Sequence, residues 1–291
     1  MLYTGHTDNV FALSWSPSGC FVASGGRDKM VHVWHPQTGR ASLLYSAHSN
    51  YILSVAWSPD GEYIASGDTD GKVHVWNATT GATVFVYGGH VRFVRSVGWS
   101  PDGRFVASGG EYGDNTVQVW DAFTGTRIST HTAQYRVFAV SWSPHGSAIV
   151  SGSFDGVVQV WNAMSGELSQ TYRGHNGPVY TVQWSPTGQY IASGGQDGAI
   201  HVRDAMTEHL LCVYHGHRGA VKTLTWSPDN GYIASGSDDT TVQVWQALTG
   251  EAMHTYTKSH VWIRAVVWSP TNEYIAVASD KTVRVRYSPT F

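Results

Sequence analysis

The chain has 291 residues, 42% of them hydrophobic and only 13% charged, with 18 basic and 21 acidic side chains and a net charge of −3. That is enough apolar material for a large core, while the mild charge balance argues against a nucleic-acid binder or a membrane-surface protein. Cys20 and Cys212 are too few for a disulfide framework, and no apolar run approaches the ~18 residues of a membrane span, so a cytoplasmic protein is expected.

From the N-terminus, Met1 to Gly5 has no signal-peptide layout. It aligns with the end of a later strand, Gln170-Thr171-Tyr172-Arg173-Gly174. The tripeptide Trp-Ser-Pro then opens at Trp15, Trp57, Trp99, Trp142, Trp184, Trp226 and Trp268, in steps of 42 or 43 residues. A fixed period near forty marks one supersecondary unit copied along the chain. The second copy shows its content. Ile52–Trp57 nearly alternates and ends in the turn Ser58-Pro59-Asp60-Gly61; Tyr63–Gly67, Lys72–Trp76 and Thr83–Tyr87 follow, each bounded by turn residues. Four short antiparallel strands make a small twisted sheet with two apolar faces. Seven such sheets bury those faces by stacking around an axis. The expected fold is all-β, a single domain over residues 1–291. Val283 to Tyr287 aligns with a third strand, so the N-terminal strand is expected to complete the last sheet. That closing strand is short, which reads as the mark of an excerpt from a longer protein.

Over its whole length the chain resembles the WD-repeat β-propeller family. The resemblance rests on Val33-Trp34, Val75-Trp76, Val119-Trp120, Val160-Trp161 and Val244-Trp245, on Gly5-His6, Gly89-His90, Gly174-His175 and Gly216-His217, and on a turn aspartate in each copy. It implies seven four-stranded blades and, within a blade, a hydrogen-bonded set of turn Asp, loop His, second-strand Ser and third-strand Trp. The implied sets are Asp28, His6, Ser24 and Trp34; Asp70, His48, Ser66 and Trp76; Asp114, His90, Ser108 and Trp120; and Asp239, His217, Ser235 and Trp245. A His-Ser-Asp combination also suggests a hydrolase, but a triad needs one exposed nucleophile beside an oxyanion hole, and this set recurs in blade after blade. The structural reading is preferred, and no catalytic residue is assigned. Ala133 stands where blade four should have its histidine, and Arg203 replaces the tryptophan of blade five. In blade seven Ser259, Val277 and Arg286 replace His, Ser and Trp, with His260 one position late. These blades are expected to be the softer part of the ring. Paired glycines such as Gly25-Gly26, Gly109-Gly110 and Gly194-Gly195 read as strand-end turns. The scattered histidines lack metal-ligand spacing, so neither a metal nor a cofactor is expected.

The resemblance also implies a binding face over the central channel. Three positions per repeat aim at it, and among those 21 residues five are basic, seven aromatic and one acidic. The candidate ligand contacts are Phe11, Arg27, Tyr51, Phe93, Arg95, Arg136, Phe138, Phe154, Tyr180, Lys222, Trp262 and Arg264, and Glu111-Tyr112-Gly113 should protrude on the same face. This bias points to a protein or peptide partner that is anionic, acidic or phosphorylated. Several of these rings could instead simply plug the channel. The mixture also suits single-stranded nucleic acid, which the acidic balance and the lack of a basic groove disfavour. The expectation is a monomeric, non-catalytic interaction scaffold. The alternatives are a sensor or regulatory domain of a larger signalling protein, or a designed consensus propeller with no specific ligand.

Overall fold

A computed structural model of the chain describes residues 1–257 and 261–289. All regular structure among those residues is β, in seven four-stranded antiparallel sheets. The first blade takes Val10–Trp15, Val22–Gly26, Val31–Trp34 and Ala41–Tyr45 from the axis outward. Five more blades repeat that plan. In the seventh, Ile263–Trp268, Tyr274–Ser279 and Thr282–Tyr287 are completed by Leu2–Tyr3, with Leu2 opposite Arg284 and Tyr3 opposite Val283. The chain is therefore a seven-bladed propeller closed by its own N-terminus. Two further bonds lengthen the seam: the N-terminal amine donates to the Val285 carbonyl (2.8 Å) and the Val285 N–H to the Met1 carbonyl (2.9 Å).

The recurring Trp-Ser-Pro has a local cause. In each copy the serine hydroxyl accepts the backbone N–H five residues on, from Phe21 to Ser16 through to Tyr274 to Ser269, at 2.8–3.1 Å. Proline supplies the fixed φ that a turn wants at its first central position, and Gly61 (φ 76°) supplies the left-handed residue of the same turn in blade two. The turn thereby hands the innermost strand to the second.

The core lies between blades rather than within them. Ala23, Val31, Val33 and Tyr45 of blade one pack with Ile52, Val55, Ile64 and Trp76 of blade two, and Tyr3, Val283 and Ala278 pack with Val10, Leu13 and Trp34 across the closure. Second strands are almost wholly buried and outermost strands mostly exposed. The paired glycines correct the turn expectation. They are the last residues of the second strands and remain in the ladder, and Gly25, Gly109 and Gly194 face the first strand of the next blade. A Cβ on Gly194 would stand 2.7 Å from Val221 Cγ1. Absence of a side chain lets adjacent blades approach.

Candidate functional site

Each innermost strand carries a β-bulge one residue after its start. In blade one Val10 pairs with Gly26 and Ala12 with Gly25, leaving Phe11 without an opposite residue. The same irregularity singles out Leu53, Arg95, Phe138, Tyr180, Lys222 and Arg264. A bulge re-aims the side chain it frees. All seven line one cavity of about 490 Å³, together with Tyr51, Thr69 and Phe93, at the mouth of a channel of about 580 Å³ walled by the seven innermost strands. Eight of the twelve candidate contacts thus converge: Phe11, Tyr51, Phe93, Arg95, Phe138, Tyr180, Lys222 and Arg264. Arg27, Arg136, Phe154 and Trp262 do not line that cavity.

The cations at the mouth are less free than their number suggests. Arg95 donates from Nε to Glu111 (2.5 Å) and Lys222 lies 3.3 Å from Asp238. Outside the mouth Arg27 stands 3.6 Å from Asp8. Glu111 was expected to protrude; it is 2% exposed, because its carboxylate turns inward onto Arg95, while Tyr112, at 47%, and Gly113 of that loop do stand out. Lys222 is held below the ordinary lysine range chiefly by burial, with Arg264 and Arg95 pushing the same way against Asp238. Arg264 has no carboxylate partner among the described residues; it lies over the rings of Trp262 (5.0 Å) and Phe11 (5.9 Å). Lys222 Nζ sits 3.5 Å over Tyr180, whose hydroxyl donates to Gln196.

Aromatic contacts run sideways from the mouth. Phe138 meets Tyr180 (5.1 Å) and Phe154 (6.3 Å), and Phe93 meets Tyr112 (5.1 Å). Arg136 lies between Tyr112 and Phe154, at 4.0 and 5.3 Å from their centroids.

Beneath this face sit the structural sets. In blade one His6 Nδ1 donates to Asp28 (2.7 Å), its Nε2 is hydrogen-bonded to the Ser24 hydroxyl (2.8 Å), and Ser24 accepts the Trp34 indole N–H (3.0 Å). A carboxylate can only accept, so this bond puts a proton on Nδ1 of the imidazole. Blade three does the same with Asp114, His90, Ser108 and Trp120, and blade six with Asp239, His217, Ser235 and Trp245. Burial alone would raise Asp28, Asp114 and Asp239, but hydrogen bonds from histidine and backbone N–H groups win and hold all three below the usual carboxylate range.

Blade two departs from expectation. His48 donates to Asp68 (2.8 Å), not to Asp70, while Ser66 and Trp76 keep their places. Asp70 is at the surface, held by Ser49 and Asn50. Only this blade has an aspartate at the end of its second strand, where its carboxylate lies closer to the buried imidazole. Blade five keeps His175, Asp197 and Ser193, with Arg203 over Tyr172 (5.4 Å). In blade four the Trp161 indole N–H has no partner. Ser259 and His260 lie outside the described residues.

Sequence reasoning missed the partners across blades. Tyr3, Tyr45, Tyr87 and Tyr214, ending the outermost strands, stack within 4.3–4.5 Å on the Trp of the next blade. The recurring Tyr before Gly-His was the available signal. It also missed that His32, His74 and His201 stack on the loop histidines at 3.8–4.0 Å, gathering three His-Asp-His groups with ligand atoms within 4.8 Å. Face-stacked imidazoles aim their lone pairs along parallel planes, so these rings would have to turn before two could ligate one ion.

A family model described as "WD domain, G-beta repeat" matches residues 1–35, 40–77, 81–121, 124–162, 166–204, 208–246 and 250–286. Among curated proteins the chain is similar to Protein tipD of Dictyostelium discoideum, at 38% identity over 69 residues, 23% of this chain and 11% of that protein. It is also similar to Cell division cycle 20.6, cofactor of APC complex, of Arabidopsis thaliana (56% over 32 residues, 11% and 8%). A third match is the Peroxisomal targeting signal 2 receptor of Mus musculus (35% over 74 residues, 23% of each). The matched stretches span less than a quarter of each of these relatives.

Proposed function

Because the chain belongs to the WD-domain, G-beta repeat family, we propose that it is a non-catalytic interaction scaffold that receives an acidic or phosphorylated segment of a partner protein at the channel mouth. The observation that carries this reading is the ring of seven bulge residues, three of them cationic and three aromatic, turned into one cavity. Lys222 feels both Arg264 and Arg95, and Glu111 and Asp238 are the acids paired within that trio. The net positive charge of that trio draws an anionic segment to this face, while Phe11, Phe138 and Tyr180 offer rigid contact area. Two of the similar proteins are named for engagement, one as a receptor and one as a cofactor of a complex, which agrees with a scaffold.

The test is an array of otherwise identical nonapeptides carrying Glu, phosphoserine, Ser or Lys at the centre, read against the protein and its Arg264→Ala and Phe138→Ala variants. Preferential capture of the anionic peptides, weakened about tenfold by either substitution, is expected. Equal capture of Lys and Glu peptides, or indifference to both variants, would refute the reading.

A further inference from the structure

We infer that the oxyanion of such a peptide, a phosphoryl group or a side-chain carboxylate, docks on the edge of Arg136 at the rim, beside the channel mouth rather than inside it. The inference rests on the anionic-peptide reading above and assigns the charged contact within it.

Inside the mouth, Arg95 and Lys222 already hold Glu111 and Asp238, so a ligand anion would compete with carboxylates built into the fold. Arg27 likewise faces Asp8. Arg136 differs. Among the described residues its side chain has neither an ion-pair nor a hydrogen-bond partner, and its guanidinium is flanked by Tyr112 at 4.0 Å and Phe154 at 5.3 Å. Rings over the guanidinium constrain it without using its N–H donors, which lie in the plane and point outward. That edge matches two oxygens of a phosphate or carboxylate. A cation held in place before the ligand arrives loses little freedom on binding. Arg264 also lacks a carboxylate, but its rings stand further away, at 5.0 and 5.9 Å.

The clamp has a structural cause. The second-to-third-strand loop of blade three is two residues longer than that of blade one, and Tyr112 sits in it with φ 52°, beside Phe93 at φ 29°. Left-handed backbone at two bulky aromatic residues is sparsely populated and persists only where surroundings enforce it. The enforcement here is Glu111, the neighbour of Tyr112, which is anchored on Arg95. Arg95 thereby acts as a positioning residue for the clamp. Phe154 contacts Phe138 and Tyr112 contacts Phe93, so a segment seated in the mouth runs over rings to reach the rim.

The experiment follows arginine Nε–Hε signals of the ¹⁵N-labelled full chain by NMR during titration with inorganic phosphate, then with the Glu and phosphoserine nonapeptides. The Arg136 signal, assigned by its loss in Arg136→Lys, is expected to shift saturably, unlike that of exposed Arg40. Tyr112→Leu should weaken the response about tenfold, with an unchanged thermal midpoint as the folding control. Saturation by the phosphoserine peptide alone would identify a phosphoryl ligand, and saturation by both peptides a general oxyanion site. An Arg136 signal that moves no more than Arg40, or a Tyr112→Leu protein that responds as the parent does, would overturn the inference. Peptide binding that falls with Phe138→Ala but not with Arg136→Lys would sink the rim site and leave the mouth reading intact. Phosphate saturation at Arg136 without any peptide capture would do the reverse.

Discussion

Two aspartates stand within reach of the loop that carries His48, and burial selects between them. Asp68 is fully enclosed and takes the imidazole proton; Asp70 stays at the surface with Ser49 and Asn50. Asp68→Ala leaves a buried imidazole N–H unpaired and should cost about 1–3 kcal/mol, whereas Asp70→Ala should cost under about 0.5 kcal/mol, both read by urea unfolding. The family pattern pointed to Asp70 because spacing is legible in a sequence and depth is not. The stacked histidines were invisible for the same reason: His32, His74 and His201 share a repeat position, but their contact with His6, His48 and His175 exists only after the loop folds back. Burial, and next the charge of the stacked partner, pushes these three down to about 4 from an ordinary 6.5. The unfolded chain then binds more protons than the native one between those values. Stability from these sites is complete above about pH 6.5 and falls away as pH drops toward 4. Gln118, Gln159 and Gln243 occupy the same position in other blades. Replacing the three histidines by Gln should therefore flatten urea midpoints measured across that range. An unchanged slope would show that other groups control acid unfolding.

At the level of strands, most of the plan was readable. Trp-Ser-Pro announces a turn by its chemistry, and alternating apolar residues announce the strands on either side. The bulges were harder. Their only trace is two buried neighbours in succession, such as Ala12-Leu13, which breaks the alternation that a regular strand would keep. Five copies keep that buried pair, and one of the three positions per repeat reached by resemblance turned out to be the bulged residue. Inter-blade packing was not legible, since the next blade lies about forty residues away. It explains the glycines: Gly194 leaves room for Val221 and Thr181. Gly194→Ala should destabilise by about 1–3 kcal/mol through overpacking, measured by denaturant midpoint. Ala278 holds the equivalent place at the blade seven seam, so Ala278→Gly should be mild in comparison. Arginine substitutes for tryptophan twice in the same layer. Arg203 over Tyr172 and Arg286 over Tyr256 replace ring-on-ring stacking with cation–π contact.

For the ring as a whole, the weakest join is also the most economical. Other blades carry four to six residues in each strand, but the seam depends on Leu2–Tyr3 and the two bonds between Met1 and Val285. Tyr3 does more than close blade seven. Its ring lies 4.4 Å over Trp34 at 2° and its hydroxyl meets His32, so it fastens blade seven to blade one. Tyr3→Ala should cost roughly 3 kcal/mol, visible as a lowered unfolding midpoint, while Tyr3→Phe should lose only about 1 kcal/mol. Similar values for the two variants would mean that the hydroxyl, not the stack, secures the seam. That closure was foreseeable from the alignment of both ends, because Met1 to Gly5 matches the end of a fourth strand and Val283 to Tyr287 matches a third.

The seven bulge residues carry one more implication. None has an opposite number across the ladder, so changing one disturbs no strand pairing, although Arg95 also anchors Glu111 and with it the blade-three loop. Apart from Arg95, such positions can vary with no change to the ladder, like the wheels of a combination lock. A lineage, or an engineer, could re-key what this propeller recognises by altering a handful of codons while the body of the protein stays as it is.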